Sequence, residues 1–174
     1  MIFISARKSY FEETQKFTQW WLWLIIIALV LIPVIGIYQQ IMLGKPFGDK
    51  PMSDKGLIVF LLAMIGFGIF FWSLKLETKI TSTGISMRYF PLTKKQIGWE
   101  EIQSLTIVKY GFVGYGIRFG SKYGTVYNTK GNLGLWVQLK NGKKFVIGTQ
   151  KEAELSRLLK SENILNLLNQ FTNS

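Results

Sequence analysis

The hydrophobic pattern changes period once, near Leu76, and the change separates two kinds of structure. Trp20 to Tyr38 is an unbroken apolar run of 19 residues whose only ionisable side chain is the terminal phenol. Gly56 to Leu74 is a second run of 19, with Ser73 as its only hydroxyl. At a rise of ~1.5 Å per residue each run reaches about 28 Å as a helix, close to the roughly 30 Å of a hydrocarbon core. Backbone groups in lipid must pair within their own segment, so both runs are predicted as membrane-spanning helices. Burying two such helices in a soluble core would need most of a 174-residue chain wrapped around them.

From Leu76 the period becomes two. Leu76–Thr81 alternates and breaks at Ser82-Thr83-Gly84; Ile85–Tyr89 alternates and stops at Pro91. Further strands are predicted around Ile97 and Trp99, at Leu105–Tyr110, Tyr115–Phe119, Tyr123–Tyr127, Leu135–Lys140 and Lys143–Ile147. Short strands punctuated this densely by Gly, Asn and Pro imply a small barrel or sandwich. In the last hairpin, a three-residue Lys140-Asn141-Gly142 loop with left-handed Gly142 sets Val137 opposite Phe145 and Leu135 opposite Ile147. That register gathers the apolar residues on one face, whereas a two-residue turn scatters them. Thr149-Gln150-Lys151-Glu152 reads as a capping box. Leu155, Leu158, Leu159, Leu165 and Leu168 then form the apolar stripe of a C-terminal helix from about residue 150.

The predicted organisation is an N-terminal tail (1–19), a two-helix hairpin (20–75; spans 20–38 and 56–74, external loop 39–55), and a β-domain (76–174). Aromatic residues mark one membrane boundary: Trp20, Trp21 and Trp23 open the first span, and Phe70, Phe71 and Trp72 close the second. Arg7, Lys8 and Lys16 in the tail are matched by Lys45, Lys50 and Lys55 in the loop. Lys75, Lys79, Arg88, Lys94 and Lys95 follow the second span and break the tie by the positive-inside rule. The expectation is a multi-pass protein of the inner (plasma) membrane with both termini cytoplasmic. The first run is too long for a signal-peptide core, and no small-residue cleavage site follows it. Neither span carries a charged or amide side chain between its ends, which argues against transport by this chain alone. Pro33 and Gly36 are candidate bends, and Ala63 and Gly66 candidate points of close helix contact.

Composition narrows the chemistry. Lys and Arg number 21 against 10 Asp and Glu, so a chain that is 48% hydrophobic carries a net charge of +11. Without Cys or His it has no thiol nucleophile, no disulfide, no Cys/His zinc site and no histidine acid–base. Glu100 and Glu101, adjacent in a strand, point to opposite faces and make a poor carboxylate pair. Gly111–Gly124 holds five glycines but neither a phosphate-loop nor a Rossmann spacing. No cofactor, metal or catalytic residue is assigned, and the expectation is a non-enzyme.

About seven strands and a C-terminal helix, attached to a two-span hairpin, resemble the bacterial pleckstrin-homology (PH) domain membrane proteins. The resemblance covers Leu76 to about Lys160, roughly half the chain. It rests on Thr81-Ser82-Thr83-Gly84-Ile85, Ile97-Gly98-Trp99-Glu100-Glu101-Ile102, Tyr127-Asn128-Thr129-Lys130-Gly131-Asn132, and Asn141-Gly142-Lys143 leading into Ile147-Gly148-Thr149. It implies a split, mainly-β barrel or sandwich capped by the helix, a binding platform rather than a defined activity. Phosphoinositide-binding PH domains carry a basic first hairpin loop; here that loop has no Lys or Arg.

Residues 77–174 carry 14 Lys and Arg against 6 Asp and Glu. Such a basic β-domain suits anionic lipid or a protein partner. Trp20, Trp21, Trp23, Trp72, Lys75 and Lys79 are the candidate interface anchors. Lys94, Lys95, Tyr110, Phe112, Tyr115, Arg118 and Lys122 are the candidate partner or lipid surface, with the aromatics of the Gly111–Gly124 stretch taken as exposed. Nucleic acid is set aside, because alternating aromatics in strands usually pack. The reading is a membrane-anchored binding or scaffold module in a bilayer, with a protein partner or second copy in view. An auxiliary subunit of a transport or signalling complex is the alternative, and an enzyme comes third.

Overall fold

The computed structural model describes residues 8–111, 114–162, 164 and 166. The chain divides into two compact units, residues 18–73 and the remainder.

The first unit is a helical hairpin. Helix α1 (Trp20–Ile37) runs on through a π-helical turn, Tyr38–Met42, and α2 spans Asp54–Ser73. The second helix starts two residues earlier than the apolar run, because the Ser53 hydroxyl accepts the Gly56 N–H at 3.2 Å and caps the first turn. The two stretches, Trp20–Met42 and Asp54–Ser73, are long and apolar enough to cross a membrane. Only Ile26, Pro33 and Gly36 of α1 and Leu57 of α2 are buried, unlike the core helices of a soluble protein. A Cβ on Gly36 would stand 3.1 Å from the Leu57 side chain, and one on Gly68 3.4 Å from Ile26. These approaches make the helices antiparallel, so Trp20–Trp23 and Phe70–Trp72 share one end. Gly66 faces open space, so the close approach expected there falls instead at Gly36 and Gly68.

The second unit has two sheets. Strands β1 (Ser9–Lys16), β2 (Lys75–Thr81), β3 (Gly84–Phe90) and β4 (Thr93–Gly98) form an antiparallel sheet in chain order. After a 3₁₀ turn, Trp99–Glu101, come β5 (Ile102–Lys109), β6 (Gly116–Ser121), β7 (Gly124–Asn128), β8 (Leu133–Leu139) and β9 (Lys144–Gly148). They make a five-stranded sheet, ordered β5-β8-β9-β7-β6, in which β7 and β9 are parallel. Helix α3 (Glu152–Leu159) follows. Leu165 and Leu168 of the expected stripe lie outside the described residues.

The described residues thus form nine strands where about seven were expected. The addition at the N-terminus is β1, in the stretch that reads as a tail; it pairs with β2 across the whole inserted hairpin, Lys16 opposite Lys75. Its burial alternates, but two of the inward side chains are Glu13 and Gln15. Apolar periodicity therefore could not reveal it. Trp99 sits in the 3₁₀ turn rather than a strand, with its indole N–H donating to the Thr81 carbonyl at 3.1 Å.

The inward rows of the first sheet are Leu76 with Tyr89, Thr78 with Met87, and Ile80 with Ile85 and Ile97. Leu135, Val137, Phe145 and Ile147 of the second sheet are likewise buried. On the other face of the second sheet Val126 and Val146 are fully buried beneath Tyr110, Tyr123 and Trp136. The last hairpin has the three-residue register: Val137 faces Phe145, Leu135 faces Ile147, and Gly142 takes φ +82°. The expected capping box does not form, since α3 begins at Glu152 without a side-chain cap. The Thr149 hydroxyl instead accepts the Lys151 N–H at 3.0 Å and donates to Glu13 at 2.7 Å.

Candidate functional site

Register assigns each basic residue of the first sheet to a face. The solvent face begins with a row formed by Lys16, Lys75 and Phe90, followed by Thr14, Glu77, Arg88 and Lys94. The next row holds Glu12, Lys79, Ser86 and Gln96. The first row lies at the strand ends that lead into the helical hairpin: three residues separate β1 from α1, and Leu74 alone separates α2 from β2.

Charge is uneven across these rows. Lys75 and Glu77 form an ion pair of 2.7 Å, leaving Arg88 and Lys94 without a carboxylate partner among the described residues. Arg88 stacks 4.8 Å from the Phe90 ring centre, and the Lys75 ammonium lies 5.8 Å from it. Just beyond, the β3–β4 turn carries Leu92, 51% exposed, with its N–H held by the Tyr89 carbonyl at 2.7 Å. An apolar tip therefore projects among cations. Its sequence signal is a lone leucine after Pro91, bracketed by Arg88 and Lys94, which strand periodicity passes over.

The predicted anchors separate. Trp20 and Trp72 are 72% and 69% exposed, Trp21 is exposed and Trp23 half-buried, all at one end of the hairpin. Lys75 sits in the first row. Lys79 lies four residues further along β2, beside Glu12 at 3.1 Å. Its hydrogen bond holds the Glu12 carboxyl below the usual carboxylate range, aided by Ser9. Lys79 is thus an ion-paired residue of the sheet's middle.

The predicted partner surface is also divided. Lys94 points outward, but Lys95 takes the inward side with Thr93 and Ile97 and is half-buried. Tyr110 is only 7% exposed, and its hydroxyl accepts from the Asn128 amide at 3.2 Å, so it is core and not surface. Tyr115 is half-buried, and the exposed Arg118 lies against Gly114. Lys122 is exposed, 4.9 Å from the Tyr123 ring centre, while Tyr123 itself accepts the Trp136 indole N–H on its carbonyl at 3.2 Å. Phe112 lies outside the described residues. The aromatics of this stretch mostly cover the second sheet; among its described residues only Phe119 stands free, 79% exposed.

Glu100 and Glu101 occupy the 3₁₀ turn rather than a strand, and Glu101 accepts the Gly98 N–H at 3.1 Å. Among the described residues no three His, Cys, Asp or Glu side chains gather as metal ligands. No protein-family model, curated protein or solved structure matches the chain. The class defined by fold and surface is a two-sheet β unit with a C-terminal helix, interrupted after its first strand by two helices long and apolar enough to cross a membrane.

Proposed function

We propose that this protein is a membrane-anchored binding module whose β unit, of PH-like type, rests its basic sheet end on anionic lipid. Two crossings return the chain to the side it left, so β1 and β2 pair in one compartment. The surplus of Lys and Arg after the second span assigns that compartment to the cytoplasm. Strands β2 to β4, the second sheet and the terminal helix support the PH-like reading; β1 and the parallel β7–β9 pair are additions to it.

One observation carries the proposal: exposed Leu92 and the cations Lys16, Arg88 and Lys94, with ion-paired Lys75 beside them, occupy the sheet end joined to the spans by so few residues. A cation near an anionic leaflet gains about 1 kcal/mol, and a buried leucine adds the apolar share. The function is positional. The module presents its remaining faces beside the bilayer to a further ligand.

The chain has no cysteine, so L92C accepts a single nitroxide label. In full-length protein reconstituted with phosphatidylglycerol, the label is expected to collide more with oxygen than with a water-soluble nickel chelate. The double variant Arg88→Glu/Lys94→Glu should reverse that preference. A label favouring the chelate in the otherwise native chain defeats the proposal.

A further inference from the structure

Lys95 occupies a position where the strand pattern calls for an apolar residue. It is opposite Met87 and alternates inward with buried Ile97, yet it is a lysine, half-buried at the margin of the core. Its ammonium lies 5.2 Å from the Phe145 ring centre and 5.9 Å from that of Tyr127. It borders a cleft of about 340 Å³ whose walls include Phe119, Leu139, Lys143, Lys144 and Phe145. The cleft opens between β4, an edge of the first sheet, and the β6–β7 end of the second.

Several local features build it. The Lys140-Asn141-Gly142 loop turns the chain so that Lys143 and Lys144 follow immediately, with the Asn141 side chain accepting the Lys143 N–H at 3.0 Å. Gly124, at φ +87°, lets the Lys144 carbonyl approach where a Cβ would collide. Among the described residues no acidic side chain lines the cleft, and Lys95, Lys143 and Lys144 form no ion pair. Aromatic faces rather than a carboxylate stand beside the Lys95 ammonium, so the positive charge of the cleft is left for an anionic ligand to balance. Phe119, 79% exposed, adds an apolar wall.

We infer that this cleft binds a phosphate ester bearing an alkyl chain, the phosphate held by the three lysines and the first carbons by Phe119, Leu139 and Phe145. Ammonium groups are compact point charges suited to phosphate. The volume suits one headgroup and a short length of chain, at the small end of ligand pockets. Lys95 directly follows Lys94 of the Leu92 end but takes the opposite face of β4, and the argument for the cleft does not use how that end meets lipid. Two sources share the chemistry: a phospholipid and a soluble alkyl phosphate.

The test is calorimetric titration of the full chain in phosphatidylcholine nanodiscs with hexyl phosphate. Saturable one-to-one binding is expected. Lys95→Gln and Phe119→Ala should each weaken it by about tenfold or more, whereas Lys109→Gln, which removes the same charge elsewhere, should not. Inorganic phosphate should bind at least about tenfold more weakly than hexyl phosphate. Phe119 is exposed enough for its alanine variant to keep the fold. Repeating the titration in phosphatidylglycerol nanodiscs separates the sources. Competition there supports the cleft with lipid as its ligand; unchanged affinity supports it with a soluble one. Absence of saturable binding, or binding indifferent to both cleft variants, overturns the inference.

Discussion

The Glu13 carboxylate accepts a hydrogen bond from the Thr149 hydroxyl at 2.7 Å, joining the strand before the helical hairpin to the junction between β9 and α3. Its second oxygen accepts the Gln150 N–H at 2.7 Å. Beside it, the Gln15 amide donates to the Gly148 carbonyl at 2.7 Å and accepts from Thr129 at 3.1 Å. The first strand is therefore a structural closure for the last, and the hairpin is an insertion between two paired strands.

Removing Glu13 leaves the buried Thr149 hydroxyl and the part-buried Gln150 N–H without their acceptor. Glu13→Ala is expected to destabilise the β unit by about 2–4 kcal/mol, since each stranded donor costs about 1–3. The exposed neighbour Glu12→Ala, which loses a solvated ion pair with Lys79 and a hydrogen bond from Ser9, should leave the unfolding midpoint nearly unchanged. Denaturant unfolding of the full chain in detergent, followed through Trp99 and Trp136 fluorescence, provides the measurement. Equal midpoints for the two variants would show that β1 is not the closure described.

That pairing also explains what the sequence made legible. Strands β2, β3 and β8 announce themselves because buried, mostly apolar residues face inward at every second position, and the Gly142 bulge follows from aligning Val137 with Phe145. Strand β1 stays hidden because its inward residues Glu13 and Gln15 are satisfied by partners more than 130 residues away, which no local window contains. The same long-range demand takes Thr149 from its expected capping box. Lys95 is concealed for a related reason: its identity says surface, while its register says core margin. The candidate surfaces were legible as a surplus of charge, but which lysines share a face depends on pairing.

Glycine positions provide a paired comparison. Gly124 and Gly142 have similar positive φ angles, +87° and +82°, so an alanine at either meets the left-handed penalty of about 1–2 kcal/mol. Only at Gly124 would the new Cβ also collide with the Lys144 backbone carbonyl; at Gly142 it meets open space. Gly124→Ala is therefore expected to cost about 1–3 kcal/mol more than Gly142→Ala, the usual range for forced overpacking. Amide exchange should locate the extra loss at Val126 and Val146, where β7 pairs with β9. Equal losses for the two variants would mean that the parallel pair relaxes without resistance.

Tyr89 makes alkaline stability a property of the core. Its ring is 1% exposed and its hydroxyl donates to the Asn128 carbonyl at 3.2 Å, so burial pushes its pKa up to about 12, with Arg118 pulling weakly the other way. Between pH ~10 and ~12 the folded protein holds a proton that the unfolded chain, near the ordinary phenol value, has released. Stability from this group is thus complete below about pH 10 and falls as pH rises through the window. The total loss is about 2–3 kcal/mol at 1.36 kcal/mol per unit. Burial raises Tyr110 and Tyr127 in the same direction and steepens the decline. Phenolate absorbance of the folded chain should show Tyr89 ionising last, and Arg118→Ala should delay it further because the opposing charge is gone. Tyr89→Phe should flatten the fall of stability above pH ~10 while lowering stability at neutral pH through the lost hydrogen bond. If the variant and native chains decline in parallel from pH ~9 to ~12, the phenol is not the group that couples folding to alkali.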